Sequence, residues 1–526
     1  MLPIIRNNTV ANYFNYVNDA ILKKIPALLK KGIDNNLPLI IFSVFYYGVI
    51  IFLSAYLNVW EDEVYSLHTS SKTLTYAYHQ SIYFEAQPPV YFLLLTLWRS
   101  VSNSILWARL FSLFSILLSQ FLLFQFVNKV SNKKIATVSS ILFLINPFTI
   151  FTILEIRLFS FLLLLSLAIT ILFYNTYYTN NITTRGRIVF ILLAMTGLFT
   201  QYFFGFLLFA MAVVLMIEKN WRSLGLYILD MIIPLCLVLL SVPQIIQAIN
   251  VHTSIYPEYD NAFGNTIIDV INVLCNRILV YLIPLDYLIF KKVRTSQGIL
   301  IILFVASLNY TILKKGLRTI LPFFIITLVV MIFFFVVHLL FNIHKSDYKY
   351  TTVLFVPLLI LMIFMLKFVR PNLLSLWFVI FLFIYCTTDF KQYRGLYKVN
   401  DYKSLGKYIE RNEKTGEPIF VFRNISAENL GFYYNGSNDI IPIPKAFSYD
   451  KEFTPKQWEI NVQDINRLNN KLIKYPTFYI VIDGSILTGV FESKTALMDN
   501  LISNFTMVEE KPFEEKIVLY KFTKRN

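Results

Sequence analysis

Apolar runs separated by short polar pieces fill residues 37–390, and their lengths give the first reading of the chain. A helix that crosses a bilayer needs about 20 apolar residues. Runs at 37–57, 105–127, 135–152, 158–175, 224–246, 319–341, 351–369 and 373–388 meet or approach that length. The run 187–217 is too long for one untilted span. Gln201 and Tyr202 lie at its middle with Gly197 and Gly205 around them, so it reads as two short helices joined by a tight turn. The run 298–313 is short but strongly apolar and is counted as well. The total is about eleven spans.

Two regions depart from this pattern. Segment 58–104 holds two apolar, aromatic pieces, around 64–84 and 89–101. They read as helices lying in the membrane interface, where Trp60, Tyr65, Tyr76, Tyr78, Tyr91 and Trp98 are comfortable. Beyond Thr388 the chain turns charged. Runs of β type at 418–422, 475–483 and 516–522 alternate with helical stretches at 401–412, 461–473 and 493–503. That alternation predicts a small α/β domain, without a Gly-rich phosphate loop. The expected organisation is a cytoplasmic segment 1–36, a transmembrane domain 37–390 and a domain 391–526.

Composition agrees with a membrane protein: 56% of residues are hydrophobic and 15% charged, against about 25% charged in soluble domains. The net charge of +15 invites a nucleic-acid partner, but its distribution argues against one. Lys and Arg sit in short clusters between apolar runs, as at Lys129 with Lys133 and Lys134, Arg185 with Arg187, Lys314 with Arg318, and Lys367 with Arg370. This is the positive-inside bias of cytoplasmic loops. Met1 to Asn36 shows no cleavable signal pattern, and Cys236, Cys275 and Cys386 form no disulfide or zinc framework. With Lys23 to Lys31 inside, parity puts 58–104, 153–157, 342–350 and the tail outside. Lys291, Lys292 and Arg294 break the rule. They follow segment 266–290, whose Asp269, Asn272, Asn276, Arg277 and Asp286 make it too polar for lipid, so it reads as a surface helix pair.

The outer segments carry the candidate chemistry. Glu61, Asp62 and Glu63 follow the first span directly. Acids at a helix start also suit the helix dipole, which is the plainer explanation of the triplet alone. Opposite charge is supplied by Arg157 in the Glu155-Ile156-Arg157 turn and by Lys345 and Lys349, with Tyr350, before the tenth span. Each cation taken singly is equally explained as an interfacial side chain reaching for water. Together, a carboxylate to accept a hydroxyl proton and cations to hold a phosphate leaving group make a transferase site. Gln87-Pro88-Pro89, following Glu85, makes a rigid corner. His252 with Glu85 is a weak candidate for a divalent metal.

Asp62-Glu63 after the first span, then "QPPVYFLLLTLW", "ARLFSLF" and "NPFTIFTILEIRLFSFLLLLSL" occur in that order. The ordered set resembles the bacterial branch of the protein O-mannosyltransferase and lipid A aminoarabinose transferase family, of the GT-C class. The resemblance covers residues 37–220 and is looser over 221–390. It implies an inner-membrane glycosyltransferase that takes its sugar from a polyprenyl-phosphate carrier and passes it to a glycan, lipid or protein acceptor. By the same resemblance Asp62 matches the family's catalytic Asp, with Glu63 beside it. Arg157 and Lys349 bind the donor phosphate, Glu155, Glu85, Gln87 and Tyr350 line the substrate site, and a divalent ion accompanies some relatives. This chain departs from the pattern in three places, one of them Phe159, where a Tyr often follows the Glu-x-Arg turn by two residues. Lys349 stands where an Arg is common, losing the bidentate fork. Ala86 stands where the aminoarabinose branch has a Lys after the acid matching Glu85, which argues against that sugar. Two rivals are a transporter or flippase, which would need polar groups at mid-depth on broken helices, and a surface-polysaccharide polymerase or ligase.

Overall fold

The computed structural model describes residues 36–246, 267–285, 293–341, 348–396, 398, 400–449, 459–483, 488–513 and 517–525. By packing, the chain divides into residues 1–52 and 53–526. Among the described residues, seven helices are long and apolar enough to cross a membrane, or eight counting one bent pair. The chain is thus a multi-pass membrane protein. The first such helix, α1, is Asn36–Tyr56. The others are Ile105–Val130 (α5 below), Phe159–Tyr178, Trp221–Leu240, Gly316–Val337, Lys349–Lys367 and Pro371–Tyr393. Helix Lys349–Lys367 is the innermost of these, with 83% of its apolar window buried against 22% for Trp221–Leu240 and 28% for Pro371–Tyr393.

Several local features follow from the sequence. The expected single span 135–152 is broken: Lys133–Ile145 and Pro147–Ile153 meet at 59°. Pro147 cannot donate to the helix before it. Asn146 bridges the break, accepting the Phe148 N–H at 2.9 Å and donating to the Tyr281 carbonyl at 2.8 Å. The run 187–217 is the expected helical hairpin, Thr184–Leu198 and Phe204–Ile217.

Segment 58–104 holds three helices rather than two: α2 Glu61–Thr69, α3 Leu74–Tyr83 and α4 Val90–Arg99. The piece expected as 64–84 divides at Ser70 to Thr73, where Thr73 turns its hydroxyl to the Tyr76 N–H and caps α3. Of segment 266–290, expected as a surface helix pair, the described residues form one helix, Ile267–Leu282, and 286–290 lie outside the described residues.

The C-terminal region folds around a five-stranded sheet of order β2-β1-β3-β5-β4. Its strands are β1 Ile419–Phe422, β2 Ile440–Ile443, β3 Thr477–Asp483, β4 Phe505–Pro512 and β5 Ile517–Lys524. Strands β2, β1 and β3 run parallel, and β5 and β4 are antiparallel. Helix Tyr402–Asn412 lays Tyr402, Leu405 and Ile409 on Ile419, Val421, Tyr479 and Val481 to make the core. The carboxyl ends of β1 and β3 deliver Arg423 and Asp483 to one edge, the place where parallel sheets bind partners. Arg423 adopts a left-handed backbone, φ 61°, unusual for a side chain of this size.

Candidate active site at the head of the first loop

The site is built where α2 begins. Glu63 has no solvent exposure and accepts from Arg109 of α5 through both carboxylate oxygens, at 3.0 and 2.9 Å. Arg109 also donates to the carbonyls of Ser54, Leu57 and Asn58, gathering the end of the first span. A second cation, Lys398, lies 2.7 Å from Glu63, and the Ile156 N–H donates to Glu63 at 3.1 Å. Burial works against the Glu63 charge, but Arg109 and Lys398 outweigh it and hold the carboxyl below its usual range. Glu63 was expected beside Asp62 as a catalytic group. Both of its oxygens are engaged, by Arg109, Lys398 and the Ile156 N–H.

Asp62 is its opposite in exposure. Its side chain is 22% exposed, and Lys349 Nζ lies 2.6 Å from Oδ2. Among the described residues its other oxygen accepts no hydrogen bond. Burial raises the pKa of Asp62, and Lys349 with Arg157 pulls it back below the usual carboxylate range. Lys349 is buried, and its ammonium also sits 4.8 Å from the Trp60 ring and 6.0 Å from that of the half-buried Tyr350.

Arg157 is buried too. It donates from Nη1 to Glu85 at 2.9 Å, to Ser66 Oγ at 3.1 Å and to the Asp62 carbonyl at 3.3 Å. Its Nε is buried with no hydrogen-bond partner among the described residues. Burial raises the Glu85 pKa, although Arg157 opposes it. Glu85 also accepts from Thr69. The corner after it is strained, with Ala86 at φ 51°. Gln87 leaves its buried Oε1 without a partner among the described residues.

Glu155 accepts the Trp60 indole N–H and lies 3.5 Å from Lys398. Burial pushes its carboxyl up to about 7, with Lys398 resisting. Arg423 reaches from the sheet region to Glu61 at 2.7 Å and to Asp483 at 3.7 Å.

Thus Asp62, Glu63, Glu85, Glu155, Arg157, Lys349 and Tyr350 come together as expected, around Gln87's corner. Among the described residues their ion pairs link six acids and five bases, because Glu61, Asp483, Arg109, Lys398 and Arg423 join them. Arg109 had a signal: a lone arginine in an apolar span is costly and needs a partner. Lys398 and Arg423 had none, since each sits in a polar stretch where a solvated cation is ordinary. His252 lies outside the described residues. Glu85, its expected companion, is taken by Arg157 and Thr69, and no group of three or more His, Cys, Asp or Glu side chains that could hold a metal ion is found among the described residues.

No family model and no curated protein matches the chain. Among solved structures, ArnT from Cupriavidus metallidurans in the apo state aligns with TM-score 0.55 and 12% identity, over 91% of this chain and 97% of that one. The same protein bound to undecaprenyl phosphate aligns with TM-score 0.50 and 11% identity, over 91% and 98%. The Archaeoglobus fulgidus oligosaccharyltransferase aligns with TM-score 0.35 over 83% of this chain, too low to bear on the fold. The chain shares the membrane fold of ArnT.

Proposed function

We propose that this chain, built on the fold of ArnT, is an inverting glycosyltransferase. It moves one sugar from a polyprenyl-phosphate donor to an acceptor hydroxyl at the extracytoplasmic face of a bacterial inner membrane. The observation that carries the reading is one cluster. Asp62, Arg157 and Lys349 stand far apart in sequence, yet Lys349 is 2.6 Å from the Asp62 carboxylate and Arg157 is 3.3 Å from its carbonyl. Asp62 accepts the proton of the acceptor hydroxyl as its oxygen attacks the anomeric carbon. The bond from that carbon to the phosphate oxygen breaks, and the phosphate leaves with the electron pair. Arg157 and Lys349 stabilise the charge that develops on it. A lipid carrier suits this arrangement, since its chain stays among the helices while its head group meets the loop. That one solved relative in fold binds undecaprenyl phosphate supports the choice of donor.

The test is transfer of label from radiolabelled polyprenyl-phosphate sugars by the purified protein. Asp62→Asn keeps the size of the side chain and removes its basicity, so turnover falls by about 10²–10⁴. Near-normal turnover in a folded Asp62→Asn protein would falsify the role.

A further inference from the structure

Lys398 belongs to the segment that follows the last membrane helix, yet its side chain is only 5% exposed. Its ammonium meets three acceptors: Glu63 at 2.7 Å, Glu155 at 3.5 Å and the Leu154 carbonyl at 2.5 Å. The backbone is pinned as well. The Lys398 N–H donates to Asn58 Oδ1 at 2.7 Å, and Asn58 Nδ2 donates to the Asn400 carbonyl. An ammonium so surrounded has no capacity left for a substrate, but two chains of contact lead from it to the cations proposed to hold the donor phosphate.

The first chain runs through Glu155. This carboxylate takes the Trp60 indole N–H, and the Trp60 ring is the face on which the Lys349 ammonium rests. The second runs through Glu63. Its Oε1 takes the Ile156 N–H and so holds the backbone next to Arg157. Without Lys398, Glu63 keeps Arg109, but Glu155 loses its ion-pair partner and is left in a buried place with the neutral Trp60 indole and the through-space pull of Lys349. A buried carboxylate that loses its cation takes up a proton rather than stay charged.

We propose that Lys398 is a positioning residue for the donor site: through Glu155 and Trp60 it sets the place of Lys349, and through Glu63 and Ile156 that of Arg157. The site is then incomplete until the chain beyond the last membrane helix is seated on the first loop. This rests on the reading of Lys349 and Arg157 as phosphate-binding cations.

Binding of undecaprenyl phosphate to the full-length protein, in detergent or nanodiscs, tests the proposal without any turnover. Lys398→Met weakens binding at least about fivefold, and Lys398→Arg, which restores the charge, recovers most of the loss. A pH arm separates positioning from mere support of the fold. Glu155 titrates near 7, raised mainly by burial and by Glu63, and lowered by Lys398 and Lys349. Arg109, beyond Glu63, and the buried Tyr91 also act on it. Wild-type affinity therefore rises between about pH 6 and 8 as Glu155 ionises, over and above the ligand's own ionisation, which all variants share. In Lys398→Met that rise moves to higher pH. Glu155→Gln, a milder change should Lys398→Met fold poorly, removes the rise and leaves affinity at its low-pH value. Wild-type affinity and pH dependence in Lys398→Met or in Glu155→Gln overturn the proposal. So does a loss in Lys398→Met that Arg does not rescue and that leaves the pH dependence unchanged. A wild-type protein that does not bind undecaprenyl phosphate at all instead overturns the donor reading on which the proposal stands.

Discussion

Lys349 holds Asp62 Oδ2 at 2.6 Å, so a donor phosphate and the proposed base compete for one ammonium. Among the described residues each cation of the site already faces at least one carboxylate, so an arriving phosphate has to take a cation from a carboxylate. Asp62→Asn lowers turnover by about 10²–10⁴ but also removes that competitor. Affinity for undecaprenyl phosphate then rises by about three- to fivefold, the scale of a partly exposed ion pair. In a Lys349→Gln background the same substitution gives no gain, because the ammonium it would free is gone. Equilibrium binding of the four proteins checks this, and a loss of affinity in Asp62→Asn refutes the competition. Arg157→Gln removes a charge-assisted hydrogen bond worth about 1.5–3 kcal/mol and lowers donor affinity at least about tenfold. The raised Glu85 pKa limits the collateral damage, since a carboxyl left alone there picks up a proton. At this scale much of the site was legible in the chain. Asp62, Arg157 and Lys349 stood out because charge beside an apolar run is costly. The resemblance pointed to Asp62 of the two adjacent acids, but the enclosure of Glu63 was not legible. That depends on Arg109 and Lys398 closing on Glu63 from helices and segments distant in sequence.

Helix lengths and turns show the same division between local and long-range information. The hairpin at Gln201 and Tyr202 was readable because polar residues and glycines interrupt an over-long apolar run. Its two flanking glycines looked alike in the sequence, and the packing separates them. A Cβ on Gly197 would come within 2.2 Å of the Phe204 ring, whereas one on Gly205 meets only Leu198 at 3.5 Å. Gly197→Ala is expected to cost about 1–3 kcal/mol by overpacking. Gly205→Ala, in a helix with room for a methyl, is neutral or slightly stabilising by up to about 1 kcal/mol. Thermal unfolding of both variants in one detergent decides it, and equal midpoints would count against the close approach. The break at Asn146-Pro147 carried a local signal that the hydropathy of 135–152 averaged away. In the sheet, β1, β3 and β5 were visible as apolar runs. Strand β2 was missed because it is four residues long and contains Pro442. Strand β4 was missed because it is an edge strand that exposes most of its side chains.

For the whole molecule, the buried pairs Lys398–Glu63 and Arg423–Glu61 tie the chain after the last membrane helix to the loop after the first. Both segments therefore face the same side of the membrane, and the number of crossings between them has to be even. The helices that qualify by length and apolarity, with the bent pair as one, supply seven in that interval once α1 is set aside, which is odd. Counting Thr184–Leu198, Phe204–Ile217 and Val293–Ala306 as well makes ten between the two segments, and eleven with α1, the number expected from the hydrophobic pattern. Helices of 14 or 15 residues span only about 22 Å, so they need thinning of the bilayer or shelter among neighbours to cross. Leaving the polar helix Ile267–Leu282 on the surface preserves the parity. Single cysteines at the exposed positions Ser71, Ser404 and Asn132, in a chain freed of Cys236, Cys275 and Cys386, test this with a membrane-impermeant maleimide on intact cells. Ser71→Cys and Ser404→Cys are expected to label at once, and Asn132→Cys, beside Lys129 and Lys133, only after permeabilisation. Labelling of Ser71→Cys and Ser404→Cys from opposite sides would contradict the ion pairs themselves. Labelling of both only after permeabilisation would keep the parity but invert it, moving Asp62 to the cytoplasmic face and removing the case for an extracytoplasmic lipid-linked donor.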